Sequence, residues 1–117
     1  MMPPRQLDVV VIGDEDLVSG LRLAGVSRYH VVTEESDAGE EVRKALTGYL
    51  DDPNVGTILI LEDYVEYAGE LVTRVRRSKQ VTPVIIEVPS KSGTTYGDVR
   101  EYYKAFVRES IGFDIEI

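Results

Sequence analysis

Acidic and basic side chains follow three apolar runs of this sequence, at positions where such groups often do chemistry. Asp14–Asp16 come after the first run, Glu62 and Asp63 after a second, and Ser90 with Lys91 after a third. Carboxylate oxygens are the ligands that magnesium and other hard cations prefer. An aspartate beside such a cation can accept a phosphoryl group. These residues therefore indicate a phosphoacceptor or magnesium site as one interpretation.

Two other interpretations compete with that one. Ile12–Glu15 stand where a phosphate-binding loop would lie, but the chain has neither GxGxxG nor GxxxxGK[ST], and carboxylates there repel a phosphate. Acids are also common at helix N-termini, where they cap and are solvated, and this explains Glu62 and Asp63 without a ligand. His30 has no partner evident in the sequence and is expected to be structural. We therefore predict no catalytic residue, no cofactor and no metal. The alternative is a phosphoacceptor signalling domain, because the layout of these acids with Ser90 and Lys91 resembles that of response-regulator receivers.

Composition narrows the function classes further. The 117 residues carry 13 Lys and Arg against 21 Asp and Glu, a net charge of −8, with one histidine and no cysteine. Disulfides and thiolate metal sites are thereby excluded, and nucleic acid is a poor partner because its binding depends on basic side chains. The longest apolar run, Val55–Leu61, is far shorter than the roughly 20 residues of a membrane helix. Residues 1–6 contain no apolar stretch, so we expect a cytoplasmic location without membrane insertion.

The elements that must position these residues alternate along the chain. Short apolar, β-branched runs predict four buried strands, and amphipathic segments between them predict helices. The strands are Leu7–Ile12, Tyr29–Thr33, Val55–Leu61 and Pro83–Val88. This order predicts an α/β fold, a small doubly wound (Rossmann- or flavodoxin-like) four-stranded parallel sheet of order 2-1-3-4 with a C-terminal helix.

The helices have recognisable ends. Asp14 is the expected N-cap of the first helix and Gly25 its stop, while Ser36 is the expected N-cap of the second. Glu62 and Asp63 open a third helix with one apolar face formed by Val65, Ala68, Val72 and Val75. That helix ends in a basic group, which suits the helix dipole or a contact with acidic residues of another chain. The group is Arg74, Arg76, Arg77 and Lys79.

The chain is expected to form one domain over residues 1–117. Residues 1–88 form the globular core, the loop 89–97 is a possible hinge, and residues 98–117 form a C-terminal helix and tail. Tyr102, Tyr103 and Phe106 lie on one face of that helix at helical spacing. Such a stripe either packs in the core or anchors a partner.

Three strings of the sequence resemble the F subunit of the A-type and V-type rotary ATPases. Ile12–Asp16 with Gly20–Val26 resemble the "IGDED…GFRLAGI" opening of that family, with Leu21 in place of the usual phenylalanine. Pro83–Lys91 is similar to its "PVIIEIPSK" segment, and Val107–Ile115 to the ending of bacterial members. The strings occur in the family's order and span nearly the whole chain.

The resemblance implies a non-catalytic rotor subunit of the central stalk. Such a protein binds the coiled-coil shaft, which is the D subunit, and its C-terminal helix acts on the catalytic A and B subunits to regulate ATP hydrolysis or synthesis and ion transport. The chain would then be a cytoplasmic, peripheral part of a membrane-bound complex. The expected partner-binding residues combine the aromatic stripe with three other positions of the C-terminal helix and tail and two of the loop 89–97. They are Tyr102, Tyr103, Phe106, Arg108, Ile111, Phe113, Ser90 and Lys91.

Overall fold

The computed structural model describes residues 7–33, 37–78 and 83–89. Within these ranges, strands and helices alternate as the sequence predicts. The elements are β1 (Asp8–Gly13), α1 (Glu15–Leu23), β2 (Arg28–Val31), α2 (Ala38–Leu50), β3 (Val55–Leu61), α3 (Glu62–Val65), a 3-10 turn (Glu66–Ala68), α4 (Gly69–Arg77) and β4 (Val84–Val88). None of the helices in these ranges is long and apolar enough to cross a membrane.

All four strands pair in parallel, in the order β2-β1-β3-β4. Val11 in β1 lies between Tyr29 of β2 and Leu59 of β3, and Leu59 in turn lies opposite Ile86 of β4. The predicted order 2-1-3-4 is confirmed. Parallel pairing brings the carboxyl ends of the strands to one edge of the sheet, which is where ligands bind in this class of fold.

The sheet is covered on both faces, as its apolar strands require. Val10 and Ile12 of β1 point to the face that carries α2 and α4, while Val11 points to the face that carries α1. The first core contains Val10, Ile12, Val32, Val42, Leu46, Val55, Ile58, Ile60, Ala68, Val72 and Ile85. The second contains Val11, Leu17, Val18, Leu21, Val26, Leu59, Leu61 and Val88.

Helix α1 has the two ends that the sequence predicts. The Asp14 carboxylate accepts a hydrogen bond of 2.8 Å from the backbone N–H of Leu17, which makes it the N-cap. At the other end Gly25 adopts φ 107°, a left-handed conformation that costs glycine little. The N–H of Val26 then donates to the Leu21 carbonyl (2.9 Å) and the N–H of Gly25 to that of Arg22 (3.1 Å), which is the Schellman arrangement.

Two details of the helices differ from the sequence prediction. Helix α2 has Asp37 as its N-cap, whose carboxylate accepts from the N–H of Glu40 at 3.3 Å. Ser36, the predicted cap, lies outside the described residues. Both residue types cap well, so their order in the chain could not decide between them.

The predicted third helix is not continuous. Ala68 leaves helical geometry at φ −124° and ψ 24°, and this separates α3 and the 3-10 turn from α4. The predicted apolar face is nevertheless present, because Val65, Ala68, Val72 and Val75 all pack on the same core. Leu61, not an acid, is the N-cap of α3, and it makes no side-chain capping bond. Glu62 and Asp63 occupy the first turn instead.

Candidate functional site

The carboxyl end of β1 is built for close packing. Gly13 is buried between the strand and α1, and a Cβ at this position would lie 2.5 Å from Cδ2 of Leu17. Asp14, the next residue, has its carboxylate engaged with the N–H of Leu17. Glycine and aspartate here bring the first turn of α1 against the end of the strand. The same two residue types that could form a phosphate loop therefore have a structural role in this position.

Glu62 and Asp63 lie at the carboxyl end of the neighbouring strand β3, as predicted, and both are exposed. Among the residues that the structure describes, no group of three or more His, Asp or Glu side chains is placed to hold a metal ion. Ser90 and Lys91, the remaining members of the receiver-like layout, lie outside the described residues. The described geometry thus brings two acidic segments to one edge without assembling them into a metal centre.

His30 has a partner that sequence reasoning missed. Its Nε2 lies 3.1 Å from Oε1 of Glu41, and the same oxygen accepts from the backbone N–H of Thr33 at 3.3 Å. The contact joins the edge strand β2 to helix α2. Two residues eleven positions apart in different elements give no local signal, so only the fold reveals the pair. The geometry assigns His30 a linking role between strand and helix.

Arg28 joins three segments at the amino edge of the sheet. Its Nη1 lies 3.0 Å from Oδ2 of Asp8 and its Nη2 2.7 Å from Oδ2 of Asp52. The guanidinium also lies 5.7 Å from the ring centroid of Tyr49. Hydrogen bonds to Asp52 and then Asp8 raise the pKa of Arg28 above its ordinary value. The starts of β1 and β2 are thereby tied to the turn after α2, opposite the edge where ligands bind in this fold.

Burial also raises the pKa of Tyr49, against a smaller opposing effect of the positive charge on Arg28. Tyr49 is only half-buried and packs against the core beneath α2. Because its neutral form is favoured in the folded state, its phenol is not poised for proton transfer near neutral pH. The shift is a consequence of packing.

A basic surface lies along α4. Arg76 is paired with Glu87 of β4 at 3.1 Å, and Arg43 of α2 donates to the Tyr67 carbonyl at 3.2 Å. Arg74 and Arg77 are exposed and point away from the sheet core. The predicted basic end of this helix is confirmed, apart from Lys79, which lies outside the described residues.

The predicted partner-binding residues cannot be placed in this geometry. Tyr102, Tyr103, Phe106, Arg108, Ile111, Phe113, Ser90 and Lys91 all lie outside the described residues, as does most of the loop 89–97. Their assignment stays a prediction from the sequence.

Comparison with known proteins gives one consistent result. Residues 9–107 match the family described as ATP synthase (F/14-kDa) subunit. The F subunit of the A-type ATP synthase of Thermococcus sibiricus is 34% identical over 110 residues, which are 94% of this chain and 99% of that protein. The protein of the same name from Pyrococcus furiosus is 33% identical, with the same coverage.

A solved structure agrees with these relatives. The crystal structure of the F subunit of the V-type ATP synthase from Archaeoglobus fulgidus superposes with a TM-score of 0.59 at 27% identity. The match covers 71% of this chain and 98% of that one.

Proposed function

Because this chain belongs to the family described as ATP synthase (F/14-kDa) subunit, together with the F subunits of A-type and V-type ATP synthases, we propose that it is a non-catalytic rotor subunit of the central stalk. The observation that carries the proposal is the extent of the match. The two F-subunit relatives align with 94% of this chain and 99% of their own length, so the likeness extends over nearly all of both.

The chemistry of the described residues supports a role without catalysis. Asp14 caps a helix, and His30 with Glu41 links a strand to a helix. In these contacts the Asp14 carboxylate, the His30 imidazole and the Glu41 carboxylate all make hydrogen bonds that stabilise the fold. General acid–base catalysis needs such a group within hydrogen-bond reach of a substrate proton, and these contacts direct the groups at the protein's own backbone and side chains instead.

In the proposed mechanism the chain transmits force. The sheet, buried on both faces, forms a stiff body that is attached to the coiled-coil shaft, the D subunit, and turns with it. The C-terminal helix and tail supply part of this contact through the aromatic stripe Tyr102, Tyr103 and Phe106 and through Arg108, Ile111 and Phe113. Ser90 and Lys91, in the loop before that helix, add to the contact. A contact that carries torque is expected to be large and apolar at its centre.

Through the same helix the chain acts on the catalytic A and B subunits, and so couples or regulates ATP turnover and ion transport. It would lie on the cytoplasmic side, as a peripheral part of the membrane-bound complex.

Binding to a purified shaft protein tests this proposal. The full chain is expected to form a stable complex with the coiled-coil protein and to hydrolyse no ATP alone. Tyr103→Ala and Phe106→Ala should weaken that complex while the fold, followed by circular dichroism, is retained. ATP turnover by the purified chain, or failure to bind any shaft protein, would overturn the proposal. Unchanged affinity in both variants would remove those two positions from the contact.

A receiver-like phosphoacceptor is the second candidate. The observation in its favour is that β1 and β3 are adjacent, which brings Asp14–Asp16 and Asp63 to the same sheet edge. Incubation with acetyl phosphate and magnesium tests it directly. Acid-labile phosphate on Asp63 would support this function, and a chain that stays unmodified, beside a receiver that is modified, would remove it.

A further inference from the structure

We draw no further inference here: the strongest candidate, the incompletely covered apolar patch beside α1 on the sheet, where Val84 of β4 is 46% exposed and Val9, Thr57 and Ile86 are half-buried, carries nothing because no contact among the described residues shows what covers it.

Discussion

The close contact between Gly13 and Leu17 leads to a quantitative prediction for Gly13→Ala. The new methyl group would lie 2.5, 3.0 and 3.1 Å from Cδ2, Cγ and Cβ of Leu17. Rotation about the Cβ–Cγ bond of Leu17 moves Cδ2 away from the new methyl group but leaves Cγ and Cβ where they are. Leu17 is fully buried in the core beneath α1, so the whole side chain or the first turn of the helix must move.

Overpacking of this kind costs about 1–3 kcal/mol. Replacing glycine with alanine also lowers the conformational entropy of the unfolded chain, which stabilises the folded state by about 0.4–1 kcal/mol. The expected net loss in the free energy of unfolding is therefore about 1–2 kcal/mol, or a fall in Tm of about 4–8 °C for a domain of this size. Leu17→Ala alone should cost about 2–5 kcal/mol because it leaves a cavity. When Leu17→Ala is made in the Gly13→Ala variant, it should lower the free energy of unfolding by less, because it also removes the overpacking. The coupling energy between the two changes should be about 1 kcal/mol or more.

Urea unfolding followed by circular dichroism measures all four proteins of this cycle. Gly48→Ala is a matched control, because Gly48 lies inside α2 and an added Cβ there meets nothing within 4 Å. That change should stabilise the chain by about 0.5–1 kcal/mol through helix propensity. If Gly13→Ala is as stable as the parent, or if the two changes at Gly13 and Leu17 are additive, then close packing is not the reason for this glycine.

Three further predictions concern the cap, the core and the pH dependence of stability. Asp14→Ala removes the hydrogen bond to the Leu17 N–H and should cost about 0.5–2 kcal/mol in urea unfolding, whereas Asp14→Asn should retain most of the stability. Leu46→Ala removes a fully buried side chain beneath α2 and should cost about 2–5 kcal/mol, with exposed Thr47→Ala as the near-neutral control. Burial raises the pKa of Tyr49 above its ordinary value of 10.0, so the unfolded state loses this proton first and stability falls as the pH rises through that range. Tyr49→Phe lacks this loss, and its stability relative to the parent should rise between about pH 9 and about pH 11; a constant difference would contradict the assigned cause.

Much of the fold follows from local patterns in the sequence. The predicted strand Val55–Leu61 has the same bounds in the structure, because seven apolar and β-branched residues between turn signals leave few alternatives. The N-cap of α1 at Asp14 follows from side-chain hydrogen bonding, and the end of the helix before Gly25 follows from a left-handed backbone that suits glycine. The strand order follows from the doubly wound class of fold, which right-handed crossovers favour once the elements are known.

Other features depend on tertiary geometry that a pattern does not contain. The spacing of Val65, Ala68, Val72 and Val75 is compatible with one helix, yet the chain reaches the same core with a break at Ala68. Contacts such as Arg28 with Asp52 join residues 24 positions apart, and no local signal relates them. The helical spacing of Tyr102, Tyr103 and Phe106 does not show whether they pack in the core or bind a partner. Both roles require large apolar side chains on one face of a helix.

The open position at Gly48 has a practical consequence for testing the proposed rotation. The chain contains no cysteine, so a single thiol introduced there would be the one reactive sulfur in the protein. Helix α2 is held to the sheet by Val42 and Leu46, and the added side chain would extend into open space. A fluorophore or bead attached at that point would report the orientation of the sheet, because the helix that carries the probe is fixed to the sheet.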